Sequence, residues 1–135
     1  MKIYRIENVT GEGPYSCAPE SRKNFSSMVF YTDPHPYLHP LQEEDNLLRE
    51  IWKRIFYNDL RRNWRFGFDS VDQVILWFHA EGVFEALELD GFMVSEYEVP
   101  EGHYHLGEFQ AIFEPFHSEF VRYITFTSLE KGIAA

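Results

Sequence analysis

The order of hydrophobic periodicities along the chain constrains the fold more than any other feature of the sequence. Residues 2–8 alternate their side chains with a period of two, which predicts a β-strand. Two helical patterns follow, and β-like runs at 92–99, 109–114 and 120–127 then close the chain. Because helices and strands are segregated rather than alternating, we predict an α+β fold. It consists of a mainly antiparallel sheet of one N-terminal and three C-terminal strands, with two or three intervening helices on one face.

Both helical patterns carry signals that place their ends. Residues 43–60 have apolar side chains at i, i+1, i+4 and i+5 spacing, with acids in the first turn that suit the helix dipole. Ser70 and Gln73 match a capping box, in which Ser70 accepts a hydrogen bond from the Gln73 amide and Gln73 reaches back. Gly82 is predicted to break this second helix. One or two further helical turns are predicted between Gly82 and Gly91.

A chain of 135 residues is long enough for one domain with one core, so we predict a single domain over 1–135. Aromatic residues make up 18% of the chain and supply a large apolar surface for this core. The one cysteine, Cys17, excludes an intramolecular disulfide and fits a reducing compartment. No stretch approaches the roughly 18 apolar residues of a membrane span, and the N-terminus has no apolar leader, so we expect a cytoplasmic protein without membrane binding.

The net charge of −10 is unevenly distributed along the chain. Residues 1–65 carry ten Lys and Arg against nine Asp and Glu, whereas residues 66–135 carry two against thirteen. A C-terminal half with a net charge of −11 would repel a polyanion, so we expect no direct binding to nucleic acid. The basic stretch at 49–65 is interpreted as a solvated helix face. The acidic half suits a basic protein surface instead.

Two polar side chains in the predicted strands are candidates for function. Arg5 lies in the middle of the first strand between Tyr4 and Ile6, and a strand arginine needs solvent or a partner. An edge charge or an ion pair with a nearby Glu would satisfy it equally well. Gln110 alternates with aromatic residues in the run 109–114, so its amide needs partners if that face is buried. Two such groups are what a cleft lined by a sheet would use to hold a polar ligand.

A histidine cluster near the C-terminus resembles a metal-ligand set. His103 and His105 are two residues apart, and Glu108 and His117 could complete the ligands. The spacing is loose, and a histidine pair in a turn between two strands is more common than a site. We therefore expect no metal ion as a cofactor.

A series of short motifs is spread over most of residues 1–115. The motifs are Tyr4-Arg5-Ile6, Gly11-x-Gly13-Pro14-Tyr15, Phe66-Gly67-Phe68-x-Ser70, Trp77-Phe78, Gly91-Phe92, Tyr97-Glu98-Val99-Pro100 and Gly107-x-x-Gln110-x-x-Phe113. Together they resemble a group of small phage and prophage proteins. That pattern is in turn distantly similar to the ADP-ribosyltransferase-like fold.

The similarity to the ADP-ribosyltransferase-like fold implies NAD as the cofactor and ADP-ribose transfer as the activity. By this resemblance Arg5 contacts the phosphate or ribose of NAD, and Tyr15 or Phe68 packs on the nicotinamide. Glu108 or Gln110 would hold the ribose, with Glu108 as the carboxylate that stabilises the positive charge that develops there. The chain lacks the family's Ser-Thr-Ser strand motif and reverses the usual order of the late-strand pair. An alternative is therefore that the protein binds NAD without catalysing its cleavage.

The resemblance to phage proteins also admits a function without catalysis. A small acidic protein of this kind can act by stoichiometric binding in the host cytosol, presenting its acidic half to a basic surface of a host defence protein. Partner binding would then depend strongly on salt concentration, and it would be lost when the acids within 81–101 are neutralised. Aromatic residues such as Tyr37, Phe116 and Tyr123 make a homodimer a further expectation.

Overall fold

Six strands and four α-helices are present in the residues that the computed structural model describes, namely 1–14, 19–24, 47–57, 63–78, 82–108 and 110–130. The strands are β1 (Lys2–Glu7), β2 (Arg65–Gly67), β3 (Met93–Glu98), β4 (Tyr104–Leu106), β5 (Ala111–Phe113) and β6 (Glu119–Ile124). The helices are α1 (Arg49–Tyr57), α2 (Val71–Trp77), α3 (Val83–Leu89) and α4 (Phe126–Glu130). Two short 3-10 helices cover Pro19–Arg22 and Pro115–His117.

The strands form two antiparallel three-stranded sheets. In the first sheet β3 lies between β1 and β6, and in the second β5 lies between β2 and β4. An antiparallel bridge between Tyr4 of β1 and Phe68, just after β2, connects the two sheets. Each of these two residues donates its backbone N–H to the carbonyl of the other at 2.7 Å. The N-terminal strand therefore hydrogen-bonds with both sheets.

The prediction of an α+β fold with antiparallel strands is confirmed, but in the described part of the chain six strands form two sheets where one sheet of four strands was expected. The second sheet consists of strands of only three residues, too short for a period of two to be recognised, so β2 and β4 were not predicted. The predicted strand at 120–127 ends at Ile124, and α4 begins at Phe126 instead. The Thr125 hydroxyl explains this change, because its oxygen accepts the Ser128 N–H at 3.1 Å and caps the helix.

The predicted helix signals in the middle of the chain are present. The Gln73 N–H donates to the Ser70 hydroxyl at 3.2 Å, and the Asp69 N–H donates to the Gln73 side-chain oxygen at 2.9 Å. The predicted break of this helix at Gly82 is wrong, because α2 ends at Trp77. Gly82 is instead the N-cap of α3, with a φ of 82°, a left-handed conformation that favours glycine. Of the helix predicted at 43–60, the structure describes α1, and the rest lies partly outside the described residues.

The largest apolar cluster lies between the first sheet and the helices α2, α3 and α4. Phe68 is at its centre, with its ring edge-on to Trp77 and Phe78 at centroid distances of 5.5 and 6.1 Å. A smaller cluster forms where Leu48, just before α1, and Ile55 of α1 pack on Ile112 of β5. This packing brings α1 against the second sheet, and Trp52 and Trp64 pack against the same cluster. None of the described helices is long and apolar enough to cross a membrane.

Candidate functional site

The Arg5 side chain is buried and connects three parts of the chain. It is 3% exposed, and its Nε donates to a Glu7 carboxylate oxygen at 3.1 Å. The two other nitrogens donate to the backbone carbonyls of Phe66, at 2.9 Å, and Gly11, at 3.3 Å. Residues two apart on a strand face the same side, so the alternation of β1 itself brings Arg5 and Glu7 together. The ion pair with a nearby Glu, which the sequence left open, is present.

Glu7 is shared between Arg5 and a tyrosine of the neighbouring strand. The Tyr97 hydroxyl donates to the second carboxylate oxygen of Glu7. Burial, together with the hydrogen bond to Glu7, raises the pKa of Tyr97, so this hydroxyl stays protonated at neutral pH. Burial lowers the pKa of Arg5 from its ordinary value while Glu7 opposes this shift. The carboxylate therefore holds the buried cation in place.

The turn after β1 closes over the Arg5 guanidinium. The Asn8 side-chain oxygen accepts the backbone N–H groups of Thr10 and Glu12, each at 3.0 Å. Gly11 has a φ of 81°, which this turn requires. A Cβ on Gly13 would lie 3.0 Å from the nearest Arg5 nitrogen, so any larger residue would have to displace the guanidinium from its hydrogen bonds. The glycine pair thus has a structural role beside Arg5.

A pocket of about 450 Å³ opens beside this arginine. The turn after β1 supplies one side, α1 supplies Trp52, and β2 and the residue before it supply the remainder. The lining residues are Arg5, Thr10, Gly11, Glu12, Trp52, Trp64, Arg65 and Phe66. Trp64 is half-buried and stacks on His105 at a centroid distance of 5.2 Å. Burial lowers the pKa of His105, which favours a neutral ring against the indole.

The pocket combines flat apolar surfaces with two guanidinium groups. Trp52 and Trp64 provide indole rings that can stack on an aromatic ligand. Arg5 and Arg65 provide charge, and Arg65 is close enough to contribute to the lowered pKa of Arg5. Such a pocket suits a ligand that has both an aromatic ring and an anionic group.

Of the residues predicted to bind the cofactor, Arg5 lines this pocket and Phe68 does not. Phe68 is 1% exposed and its ring packs within the main apolar cluster. Tyr15 lies outside the described residues. The structure therefore places one of these three residues at the pocket, and the cofactor contact assigned to Phe68 stays a prediction.

The two predicted catalytic residues lie in the connection between β4 and β5. Glu108 is exposed, whereas Gln110 is 2% exposed and accepts the Gly107 N–H on its backbone carbonyl at 2.7 Å. Neither residue is among those that line the pocket in the part of the chain that the structure describes. Sequence reasoning missed Trp52 and Trp64, although both lie in or beside the basic stretch at 49–65 that it interpreted as a helix face.

The histidine cluster has a different membership from the one considered in the sequence. His103 and His117 lie together, and Glu114 rather than Glu108 is the carboxylate between them. His105 is instead stacked on Trp64. The spacing of residues in the sequence did not reveal Glu114 as a ligand. Glu114 lies beside His103 only because β4 and β5 pair, which is a non-local contact.

Comparison with known proteins connects the chain to a phage family. The family model described as Bacteriophage T4 Y00F protein matches residues 1–127. This range includes every residue of the pocket beside Arg5 and of the histidine cluster. No curated protein and no solved structure matches the chain.

Proposed function

The chain belongs to the bacteriophage T4 Y00F protein family, and from this premise we propose that it is a phage protein that binds NAD or a related nucleotide. The observation that carries the proposal is the pocket in which Arg5 and Arg65 lie beside Trp52 and Trp64. A nucleotide has the two chemical features that such a pocket favours, an aromatic base and an anionic phosphate.

The charge of the pocket supports an anionic ligand. Arg5 is paired with Glu7, and Glu12 also lines the pocket, but Arg65 adds a second cation whose charge repels that of Arg5. A phosphate between the two guanidinium groups would relieve this repulsion and accept hydrogen bonds from both. The chain has a net charge of −10 and would repel an anion over most of its surface. The two arginines make this pocket a place where an anion can bind.

The size and the rings of the pocket support a nucleoside. A volume of about 450 Å³ lies within the roughly 300–1,000 Å³ of typical ligand pockets. Stacking of a base on an aromatic side chain contributes about 1–3 kcal/mol and does not depend on the identity of the base. Trp64 is held in place by His105, so little conformational entropy is lost when a base stacks on the indole.

Transfer of ADP-ribose is the more demanding part of this proposal. Cleavage of the bond to nicotinamide develops positive charge on the ribose, which a nearby carboxylate would stabilise. The resemblance assigns that role to Glu108, with Gln110 beside it. Since neither residue lines the pocket, binding and transfer are tested separately, and Glu108→Gln is the variant that tests turnover.

Calorimetric titration of NAD into the purified protein tests the binding proposal. We expect Arg65→Met to weaken NAD binding by about 10-fold or more, because a hydrogen bond to a charged group contributes roughly 1.5–3 kcal/mol. Trp64→Ala should weaken it by about 10-fold through the loss of stacking. The control is Arg54→Met, which removes an exposed arginine of α1 that does not line the pocket. Absence of heat at millimolar NAD, or equal losses in the control, would contradict the proposal.

We infer a second candidate function from the surface of β6. This strand is an outer strand of its sheet, and four apolar side chains on or before it are exposed, namely Phe116 (86%), Phe120, Val121 and Tyr123. Glu98, Glu101 and Glu119 line an open groove together with Phe116. Exposed aromatic groups beside acids fit a basic segment of a partner protein, such as a host defence protein, better than they fit a second copy of this acidic chain.

Salt dependence of partner capture tests this second candidate. We expect a basic host protein to be retained on the immobilised chain at 0.1 M salt and released near 1 M, as the Debye length falls from about 10 to 3 Å. Replacing Glu98, Glu101 and Glu119 with Gln should abolish capture, whereas replacing the exposed Glu50 of α1 and Asp72 of α2, which lie outside 81–101 and outside the groove, should not. Capture that responds neither to salt nor to these replacements would exclude the acidic surface as the binding site.

A further inference from the structure

Three side chains that do not line the pocket beside Arg5 form a compact cluster at the open end of the β4–β5 hairpin. His103, Glu114 and His117 each offer one ligand atom, and these atoms all lie within 4.8 Å of one another. The His103 Nδ1 is 3.1 Å from one Glu114 carboxylate oxygen, and the His117 Nε2 is 3.9 Å from the other. We propose that this cluster binds a divalent transition-metal ion, with Zn²⁺ the best fit.

The backbone holds the three residues in these positions. β4 and β5 pair in antiparallel register, and the Glu114 N–H extends this pairing by donating to the His103 carbonyl at 3.0 Å. The 3-10 helix then begins at Pro115 and brings His117 back over Glu114, whose carbonyl accepts the His117 N–H at 3.1 Å. The Ser118 hydroxyl donates to the same carbonyl at 2.8 Å. The ligands are therefore positioned by hydrogen-bonded backbone rather than by a free loop.

The distances are close to those that a tetrahedral metal ion requires. With metal–ligand bonds of about 2.0–2.2 Å, two ligand atoms of a tetrahedral zinc site are separated by roughly 3.4 Å. The two distances to Glu114 lie on either side of this value but end on different carboxylate oxygens, so side-chain rotation is needed before one oxygen and both nitrogens meet at one ion. The two imidazole rings are stacked at a centroid distance of 4.4 Å, and because a nitrogen lone pair lies in its ring plane, the exposed His117 ring must rotate out of this stack to point at the same ion as His103.

The chemistry of the ligand set selects the class of metal. Imidazole nitrogens favour zinc and neighbouring transition metals, whereas Mg²⁺ and Ca²⁺ prefer sites made of oxygen atoms. Two histidines and one glutamate leave the fourth tetrahedral position for water or for a ligand, as in zinc sites that act on substrates. His117 also lines the open groove of about 640 Å³ beside Phe116 and Glu119, so a ligand could approach the ion from that groove.

Titration of ZnCl₂ into protein freed of metal by a chelator tests the proposal. We expect one ion to bind per chain. His103→Ala and His117→Ala each remove a ligand, so they should lower the affinity by more than the roughly 10–100-fold that loss of an outer partner of a metal ligand costs. MgCl₂ titrated under the same conditions should give no binding.

The control is His105→Ala, which removes a nearby histidine that lies on Trp64 and outside the cluster. It should leave zinc affinity unchanged. His117 is exposed, so its replacement should not impair folding, and circular dichroism checks this directly. Failure of the wild type to bind zinc, or equal binding by the wild type and His117→Ala, would overturn the proposal.

Discussion

Replacing Arg5 with methionine is expected to lower the free energy of unfolding by about 3–5 kcal/mol, because it leaves a buried carboxylate without its cation. Glu7 and Arg5 are both more than nine-tenths buried, and the distance between their charged atoms is 3.1 Å. The variant also removes the donors to the carbonyls of Phe66 and Gly11, so β1 loses its side-chain connections to β2 and to the turn. Urea unfolding monitored by tryptophan fluorescence measures the change.

A double variant separates the charge from the packing. In Arg5→Met with Glu7→Gln, the uncompensated carboxylate is absent, and we expect a substantial part of the lost stability to return. The amide oxygen that Glu7→Gln introduces can still accept the hydrogen bond of the Tyr97 hydroxyl, so this donor keeps a partner. If Arg5→Met alone is as stable as the wild type, the ion pair contributes little and Arg5 is free to act on a ligand.

This result bears directly on the nucleotide proposal. An Arg5 variant that is destabilised by several kcal/mol can lose NAD binding because it unfolds, so Arg5 alone does not locate the site. Arg65 and Trp64 are half-buried and lie at the surface of the same pocket, so their replacement tests binding with less effect on folding. Binding lost in these two variants and retained in Arg54→Met would place the ligand in the pocket.

The parts of the fold that could be predicted are those specified by neighbouring residues. The alternation of β1 needs only six residues in sequence, and the Ser70 cap needs only the four residues up to Gln73. β2 could not be predicted, because three residues carry no period and the strand is defined by its partner β5. The bridge between Tyr4 and Phe68 likewise depends on chain segments that are 64 positions apart in sequence.

The same limit explains which site residues the sequence revealed. Arg5 was detectable because an arginine within an apolar strand is unusual wherever the strand lies. Trp52 and Trp64 were not, since their convergence on Arg5 requires α1 to pack on the second sheet. Glu114 was missed in favour of Glu108 for a similar reason, because the strand pairing places Glu114 opposite His103.

Replacing Phe68 with alanine is expected to lower the free energy of unfolding by about 3–5 kcal/mol, as for other buried phenylalanines. The ring is 1% exposed, and it contacts Phe66 as well as Trp77 and Phe78. Its backbone also forms the bridge to Tyr4, so the cavity would open at the junction of the two sheets. Thermal and urea unfolding measure the loss.

Phe68→Leu is the variant that distinguishes packing from a cofactor contact. It fills most of the volume with another apolar side chain, and such substitutions usually cost less than about 1.5 kcal/mol, so the protein should stay folded. Because the Phe68 ring does not line the pocket beside Arg5, we expect NAD affinity to be unchanged in this variant. A tenfold loss of NAD affinity in a folded Phe68→Leu protein would instead show that the ring contacts the ligand. In that case the pocket would have to open toward the apolar core when NAD binds, and Trp77, whose ring contacts both Phe68 and Phe66, would be the next residue to replace.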